Sequence, residues 1–360
     1  MSRLRKLAIM LNALARFFSD GAANLRGKVS GVYSVLIAFN LLAWGWALLA
    51  FHGNPLLLGT ALLAYSFGLR HAFDADHIAA IDNVTRKLMQ EGKRPVAVGL
   101  FFSLGHSTVV VILAIGIAAT ATALQSHFDA MKNIGGIVGT LVSALFLFAI
   151  AAINVVVLAA VWREFRRVRN GGRFIEENMD ILLAGGGIMT RLFRRLFRLV
   201  GRSWHMYPLG FLFGLGFDTA TEVGLLGISA AEAAKGLSLW SILVFPALFT
   251  AGMSFMDTTD GIFMMGAYNW AFVKPIRKLY YNLTITFVSV AVAVAVGGIE
   301  ALGLIGDQLG LEGRFWDGIG ALNDNFGTLG YAVVGIFVVS WAISAAIYKL
   351  KRYDEIGAGA

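Results

Sequence analysis

Eight long apolar stretches dominate this chain of 360 residues and restrict the folds that it can adopt. They cover residues 32–51, 56–84, 96–124, 134–161, 207–230, 239–270, 281–305 and 327–348. Each stretch can cross a bilayer, because a transmembrane helix needs about 20 residues. Backbone hydrogen bonds must be satisfied inside the membrane, so the stretches are expected to be helical. The predicted fold is therefore an all-α polytopic membrane protein with eight transmembrane helices.

The amino-acid composition agrees with this class of protein. Hydrophobic residues make up 58% of the chain and charged residues only 14%, and the mean hydropathy is +0.71. These values are typical of polytopic membrane proteins rather than soluble domains. Cysteine is absent, which excludes disulfides and thiolate metal sites. Any bound metal must therefore be held by histidine, carboxylate, amide or backbone oxygen.

The Lys and Arg residues are distributed unevenly between the connections that join the apolar stretches. Connections 85–95, 162–206 and 271–280 are basic, as are both termini, whereas connection 306–326 is acidic. Because basic connections remain in the cytoplasm, this pattern predicts a multi-pass protein of the cytoplasmic (inner) membrane with cytoplasmic N- and C-termini. It also accounts for the net charge of +8 without any binding of nucleic acid.

This orientation divides the chain into five predicted segments. Two transmembrane halves, residues 31–161 and 207–350, are separated by a basic cytoplasmic loop at 162–206. A basic amphipathic arm at 1–30 is predicted to lie on the inner leaflet, and a short cytoplasmic tail at 351–360 ends the chain.

The second apolar stretch contains a polar segment, Gly68–Asn83, in which six ionisable residues interrupt an apolar sequence. They are Arg70, His71, Asp74, Asp76, His77 and Asp82. Ionisable side chains at membrane depth are costly unless they are paired, hydrated or bound to a cation, so the segment indicates a functional site. Imidazoles mixed with carboxylates favour a borderline divalent metal such as Ni²⁺, Co²⁺ or Zn²⁺ over Mg²⁺ or Ca²⁺. The alternative is a salt-bridge network around Arg70 that holds no ligand.

Helical geometry adds a constraint on the same segment. On an unbroken helix His71, Asp74 and His77 share one wide face, whereas Asp76 points elsewhere. Either Asp76 contacts another partner or the helix unwinds there.

Three further spans carry ionisable residues. His106 lies in the third span and is either a hydrogen-bonded structural residue or a metal ligand. Asp218 and Glu222 share a helix face in the fifth span, as do Asp257 and Asp260 in the sixth. Paired carboxylates repel each other in an apolar span, and a cation between them relieves the repulsion. The candidate metal residues are therefore His71, Asp74, Asp76, His77, His106, Asp218, Glu222, Asp257 and Asp260.

A weak internal symmetry links the two halves of the chain. The sequence FGL followed by FDAD in the second span resembles FGLGFDTATE in the fifth, and the third and sixth spans are both polar. The second and fifth spans have opposite predicted directions, so the possible repeat is inverted. Inverted repeats with interrupted polar helices are typical of secondary transporters.

Four motifs together resemble the nickel/cobalt transporter family (NiCoT) of bacterial and fungal permeases. They are the His-x4-Asp-His pattern of His71, Asp76 and His77, LGHSTVV at Leu104–Val110, LGFDTATEVGLL at Leu215–Leu226 and GMSFMDTTDG at Gly252–Gly261. The motifs occur in the family's order, and the eight-span layout with a large cytoplasmic loop is similar too. The resemblance implies high-affinity import of Ni²⁺, Co²⁺ or both, with His71, Asp76 and His77 as the essential metal-handling residues.

The transported ion is then a substrate, and no cofactor is expected. A GxxxxGK[ST] motif is absent, so we expect no ATPase subunit and a transporter driven by the membrane potential or a proton gradient. A metal efflux transporter is less favoured, because efflux relatives often carry a His-rich cytoplasmic loop and this loop contains only His205. An intramembrane metalloenzyme is less favoured, because HExxH is absent and the carboxylates are spread over several spans. The motifs fix neither the preference between the two metals nor the oligomeric state.

Overall fold

The computed structural model describes residues 20–21, 24–119, 125–169, 200–215, 220–271 and 275–350. Within these ranges the chain forms α-helices, one 3-10 turn at Ser203–His205 and short connections, without a β-strand. The helices are α1 (Leu25–Ala50), α2 (Pro55–His71), α3 (Ala75–Gln90), α4 (Val98–Ala119), α5 (Gln125–Arg169), α6 (Met206–Phe213), α7 (Ala220–Ala234), α8 (Leu239–Ile242), α9 (Val244–Ala271), α10 (Pro275–Leu309), α11 (Arg314–Asn323) and α12 (Phe326–Leu350).

Five helical segments in the described part of the chain are long and apolar enough to cross a membrane. They lie in α1, α4, α5, the α8–α9 region and α10. The bent pairs α2 with α3 and α11 with α12 raise the number to seven if each pair is one span. The fifth apolar stretch is divided between two shorter helices, because α6 ends at Phe213 and α7 begins at Ala220. The all-α polytopic fold is confirmed with five to seven candidate spans, and the count of eight stays a prediction.

The outer surface of the bundle is apolar. Leu41 and Leu49 on α1 are 69% and 82% exposed, and Leu145 on α5 is 65% exposed. A soluble protein that exposed so many large apolar side chains would aggregate. In a bilayer the same side chains contact lipid tails, which are as apolar as leucine. The exposed surface therefore supports the assignment of these helices to a membrane.

The second predicted span is broken inside the polar segment. Its first part, α2, starts after Asn54, whose side chain caps the helix, and ends at His71. Asp74 has an extended conformation, and α3 starts at Ala75 with a bend of 51° relative to α2. The helix is thus interrupted directly before Asp76, which matches one of the two alternatives that helical geometry left open.

Two helices extend further than the apolar pattern predicts. Residues 85–90 belong to α3, and both Arg86 and Lys87 are buried rather than exposed in a cytoplasmic connection. The position of Arg86 was predicted wrongly, because its guanidinium finds hydrogen-bond acceptors inside the bundle. Helix α5 likewise continues to Arg169, inside the segment predicted as the central loop.

Glycine residues let α2, α4 and α9 touch through their backbones. A Cβ atom at Gly68 would collide with the carbonyl oxygen of Phe249, and a Cβ atom at Gly99 would collide with that of Asp257. Small residues at helix contacts permit this close approach in membranes. Helix α9 therefore packs directly on both α2 and α4, and the polar residues of all three helices lie near one another.

Candidate metal centre

Three histidines from three helices meet inside the bundle. His71 ends α2, His77 lies in the first turn of α3 and His106 lies in α4, and none is more than 2% exposed. One ring nitrogen of each lies within 4.8 Å of the others. The Nε2 atoms of His71 and His106 are 3.0 Å apart. The bend between α2 and α3 lets His71 and His77 pack against each other and against His106, with ring centroids 4.6–4.9 Å apart.

Each imidazole also lies close to a buried carboxylate. The contacts are His71 Nδ1 to Asp74 Oδ2 at 2.7 Å, His106 Nε2 to Glu222 Oε1 at 2.8 Å, and His77 Nδ1 to Asp257 Oδ2 at 3.3 Å. Asp74 precedes α3, whereas Glu222 and Asp257 come from α7 and α9, and all three acids are buried. Buried carboxylates are tolerated when they are hydrogen-bonded, paired or bound to a cation. The centre is therefore assembled from both halves of the chain.

Two hydroxyl groups contact residues of the centre. The Ser103 hydroxyl donates to Asp257 Oδ2 at 2.6 Å, and Thr221 Oγ1 lies 3.2 Å from His71 Nδ1. We did not select either residue from the sequence. Ser103 precedes His106 by three residues, and this helical spacing was an available signal. Thr221 carries no comparable signal, because its contact with α2 depends on the tertiary fold.

Two ring nitrogens of the centre have no hydrogen-bond partner in the described part of the protein. They are His77 Nε2 and His106 Nδ1, and both are buried. A buried polar atom without a partner destabilises the folded state by about 1–3 kcal/mol. Neutral imidazole nitrogens are common metal ligands, so a metal ion at His77 Nε2 can supply the interaction that this atom lacks.

The distances between donor atoms fit a divalent metal. Two ligand atoms that each lie about 2.1 Å from one ion, at right angles to each other, are about 3.0 Å apart. His71 Nε2 and His106 Nε2 are separated by 3.0 Å, and His106 Nε2 and Glu222 Oε1 by 2.8 Å. Two imidazoles and one carboxylate can therefore bind one ion side by side, with a nitrogen of His77 as a further ligand.

Two other candidates lie close to this centre. Asp76 is half-buried in the first turn of α3 and interacts electrostatically with Asp74 and His106. Asp260 lies one helical turn beyond Asp257 on α9, and its buried Oδ2 atom has no hydrogen-bond partner in the described residues. Asp76 therefore lies beside the histidine cluster, whereas Asp260 lies further along α9, near Asp257 and Asp82.

The remaining candidate, Asp218, lies outside the described residues. Arg70, the centre of the alternative ligand-free network, is exposed and forms no ion pair with any residue that the structure describes. The buried histidines and carboxylates therefore interact with one another instead of surrounding Arg70.

A second buried polar network lies further along α3. Asp82 accepts hydrogen bonds from the Tyr268 hydroxyl and, at 2.8 Å, from Ser289. Arg86 donates to Thr286 and to Asn83, each at 3.0 Å. Asn154 also donates to Asn83, at 2.7 Å. This Asp82–Arg86 network joins α3 to α5, α9 and α10, and of its members only Asp82 was noted in the sequence as part of an intramembrane polar group.

Comparison with known proteins identifies relatives over nearly the whole chain. Residues 57–347 match the family described as high-affinity nickel-transport protein. A high-affinity nickel transport protein of Cupriavidus necator is 60% identical over 346 residues, which cover 96% of this chain and 99% of that protein. The nickel transporter NicT of Mycobacterium tuberculosis is 46% identical over 335 residues, covering 90% of this chain and 89% of the relative.

A relative with a different named substrate is also similar. The cobalt transport protein NhlF of Rhodococcus rhodochrous is 42% identical over 334 residues, which cover 91% of this chain and 94% of that protein. No solved structure shows significant similarity to this chain.

Proposed function

This chain belongs to the high-affinity nickel-transport family, and from that membership we propose that it imports Ni²⁺, Co²⁺ or both across the cytoplasmic membrane through the centre at His71, His77 and His106. The family consists of transport proteins and not enzymes, so the metal is a transported substrate and not a cofactor. The observation that carries the proposal is the meeting of three buried imidazoles whose ring nitrogens lie within 4.8 Å of one another.

The ligand types support a borderline transition metal as the substrate. Imidazole nitrogen binds Ni²⁺, Co²⁺ and Zn²⁺ well, whereas Mg²⁺ and Ca²⁺ prefer sites made of oxygen. We propose His71, His106 and Glu222 as direct ligands, because their donor atoms have the spacing of atoms bound to one ion. We propose His77 as a further ligand, because one of its ring nitrogens lies within 4.8 Å of those of the other two histidines. Relatives named for nickel and for cobalt are both similar to this chain, which agrees with such a mixed set of donors.

The remaining candidate carboxylates extend the polar surface around the centre. Asp74 contacts the Nδ1 atom of His71. Asp76 lies at the start of α3, where the positive end of the helix favours an anion. We propose that Asp76 and Asp260, together with Asp218, line the route by which the ion reaches or leaves the histidines. Inward movement of a divalent cation is favoured by about 4.6 kcal/mol per 100 mV of membrane potential, so uptake needs no ATPase.

We further propose eight spans with both termini in the cytoplasm and an inverted repeat. Helices α3 and α9 run in the same direction, because His77 contacts Asp257 and, further along both helices, Asp82 contacts Tyr268. Helices α2 and α7 run in opposite directions, because Thr221 contacts His71 and the later Gly224 approaches the earlier Phe67. These relations support a second and a sixth span that run in one direction and an α7, in the fifth span, that runs in the other. The basic connections make the first of these directions inward.

Uptake by cells that express the chain tests the proposed function. We expect faster accumulation of radiolabelled Ni²⁺ than in cells without the chain, competition by Co²⁺ and little competition by Mn²⁺, which imidazole sites bind more weakly. Lower accumulation than in control cells would indicate efflux instead. Unchanged accumulation, with the protein inserted in the membrane, would favour the metalloenzyme alternative.

Labelling of single cysteines tests the orientation. The chain has no cysteine, so each introduced thiol is the only target for the reagent. We expect an impermeant reagent outside intact cells to label Gln308→Cys but not Arg169→Cys, because the basic connections remain in the cytoplasm. Labelling of Arg169→Cys from outside would show that the orientation is reversed.

A further inference from the structure

The two ring nitrogens of His77 differ in their hydrogen-bond contacts. Its Nδ1 atom lies 3.3 and 3.4 Å from the two carboxylate oxygens of Asp257, whereas Nε2 has no hydrogen-bond partner among the described residues. Both side chains are fully buried. The two nitrogens of the same imidazole therefore have different surroundings.

The surroundings determine which nitrogen carries the proton. An ionised carboxylate can only accept hydrogen bonds, so the Nδ1 atom that faces Asp257 must be the donor in a neutral imidazole. The lone pair then lies on Nε2, which is the atom without a partner. A histidine that binds metal through one nitrogen usually donates its other N–H to a carboxylate, a carbonyl or water.

Ser103 fixes the carboxylate that faces His77. Its hydroxyl lies 2.6 Å from Asp257 Oδ2 and 2.8 Å from the carbonyl oxygen of Gly99, and it has one proton to donate. The carboxylate is the stronger acceptor, and 2.6 Å is within the range of about 2.5–2.7 Å for a hydroxyl bound to an anion. Because Ser103 is on α4 and Asp257 is on α9, the bond also ties the carboxylate to the helix that carries His106.

We infer that Ser103 and Asp257 are positioning residues that act through His77, holding its ring so that Nε2 binds the transported metal. This inference rests on the proposed function and deepens it, because it separates the acid that orients a ligand from the acids that bind the ion. Asp257 contacts the Nδ1 edge of the ring, whereas Glu222 contacts His106 through Nε2, the nitrogen that lies 3.0 Å from His71 Nε2. The two carboxylates therefore have different roles at one centre.

The bundle contains a matched pair for a control experiment. Glu300 on α10 is a buried carboxylate, and the Ser143 hydroxyl on α5 lies 2.8 Å from each of its oxygens. Like Asp257, it accepts a hydroxyl hydrogen bond from a serine on another helix. Neither α5 nor α10 contributes a residue to the histidine cluster in the described ranges. Glu300→Gln and Ser143→Ala therefore alter the same chemistry away from the centre.

Binding of Ni²⁺ to the purified full-length protein in lipid nanodiscs tests the inference. We expect Asp257→Asn to raise the Kd by about 10–100-fold, as loss of an orienting partner does at other metal sites. Ser103→Ala should raise the Kd by a smaller factor. In the double variant Ser103→Ala has no further effect, because Ser103 acts only through the carboxylate. The Kd should stay at the wild-type value in Glu300→Gln and Ser143→Ala.

X-ray absorption at the nickel edge distinguishes a positioning residue from a ligand. We expect Asp257→Asn saturated with Ni²⁺ to keep the same number of imidazole and oxygen ligands as the wild type. Loss of an oxygen ligand, additive effects in the double variant, or a wild-type Kd in both single variants would each overturn the inference. Failure of the wild-type protein to bind Ni²⁺ would instead overturn the proposed function, and the inference with it.

Discussion

The histidine centre and the Asp82–Arg86 network are both buried polar groups on α3, yet their hydrogen bonding differs. In the network, each carboxylate oxygen of Asp82 accepts a hydroxyl hydrogen bond, and Arg86 follows one helical turn later as a positive charge. In the histidine centre, His77 Nε2 and His106 Nδ1 have no partner among the described residues. Both carboxylate oxygens of Asp82 are thus satisfied by the protein itself, whereas the histidine centre keeps ring nitrogens available.

This difference separates two uses of polarity inside a membrane. A network whose carboxylate is satisfied by other side chains fixes the relative positions of helices, here of α3, α5, α9 and α10. A cluster with an available lone pair, here on His77 Nε2, gains stability when an ion binds, because the ion binds the folded state and satisfies that buried atom. Substitutions in the two groups should therefore change different measurements: mainly metal binding in the histidine centre and mainly stability of the folded state in the Asp82–Arg86 network.

The largest expected effect is the loss of metal binding in His71→Ala. The variant removes an imidazole whose Nε2 atom lies 3.0 Å from that of His106, so Ni²⁺ loses a direct ligand. We expect affinity to fall by more than the roughly 100-fold that an orienting residue can account for, and uptake to stop. The melting temperature without metal should fall only modestly, because the loss of the imidazole next to Asp74 costs about 1–3 kcal/mol. Equilibrium binding and thermal unfolding in detergent measure the two quantities, and normal uptake at normal expression would contradict the prediction.

A smaller effect of a different kind is expected for Arg86→Met. The exchange keeps an unbranched apolar stem but leaves Asp82 buried without its nearby positive charge. The exchange also removes the buried hydrogen bonds from Arg86 to Thr286 and Asn83, and hydrogen bonds to charged groups contribute about 1.5–3 kcal/mol each. We expect the melting temperature to fall clearly, while the folded fraction binds Ni²⁺ with wild-type affinity. A loss of affinity without a loss of stability would place Arg86 in the metal centre and remove the contrast between the two groups.

The smallest effect is expected for Tyr268→Phe. This variant removes one hydroxyl that donates to Asp82 and leaves Ser289 as the remaining hydroxyl donor to that carboxylate. The expected destabilisation is about 1–3 kcal/mol, with unchanged Ni²⁺ affinity. Tyr33→Phe is the control, because the Tyr33 hydroxyl bonds to Thr259 and not to the network. Equal melting temperatures of the two variants would show that the hydrogen bond from Tyr268 to Asp82 stabilises the fold no more than the bond from Tyr33 to Thr259 does.

The chain's apolar lengths predicted the helices, and residue chemistry predicted most of the centre. His71, His77 and His106 were all selected from the sequence, because ionisable groups are rare at membrane depth. Their pairing with separate carboxylates was not predicted. The contact between His77 and Asp257 joins residues 180 positions apart, and no local pattern encodes such a pairing.

The burial of Arg86 could not be predicted from the sequence pattern. Its charge and its place at the end of an apolar stretch are typical of a cytoplasmic connection, yet it is 1% exposed. The acceptors that permit this burial include Thr286, 200 positions later in the chain. A topology rule counts charges along the sequence and contains no information about such distant partners.

The interruption between α2 and α3 lies where a hinge would have to be for α3 to tilt relative to α2. Helix α3 has 16 residues and is therefore about 24 Å long, so a tilt of about 10° around its first turn would displace its far end by about 4 Å. His77 lies close to the hinge and would shift by much less than this far end. A small rotation at this hinge would therefore displace the part of α3 beyond Asp82, whereas the His77 ring would change its position only slightly. The hydrogen bonds of Asp82 and Arg86 to α9 and α10 lie along the part of α3 that such a rotation would displace, and they oppose it.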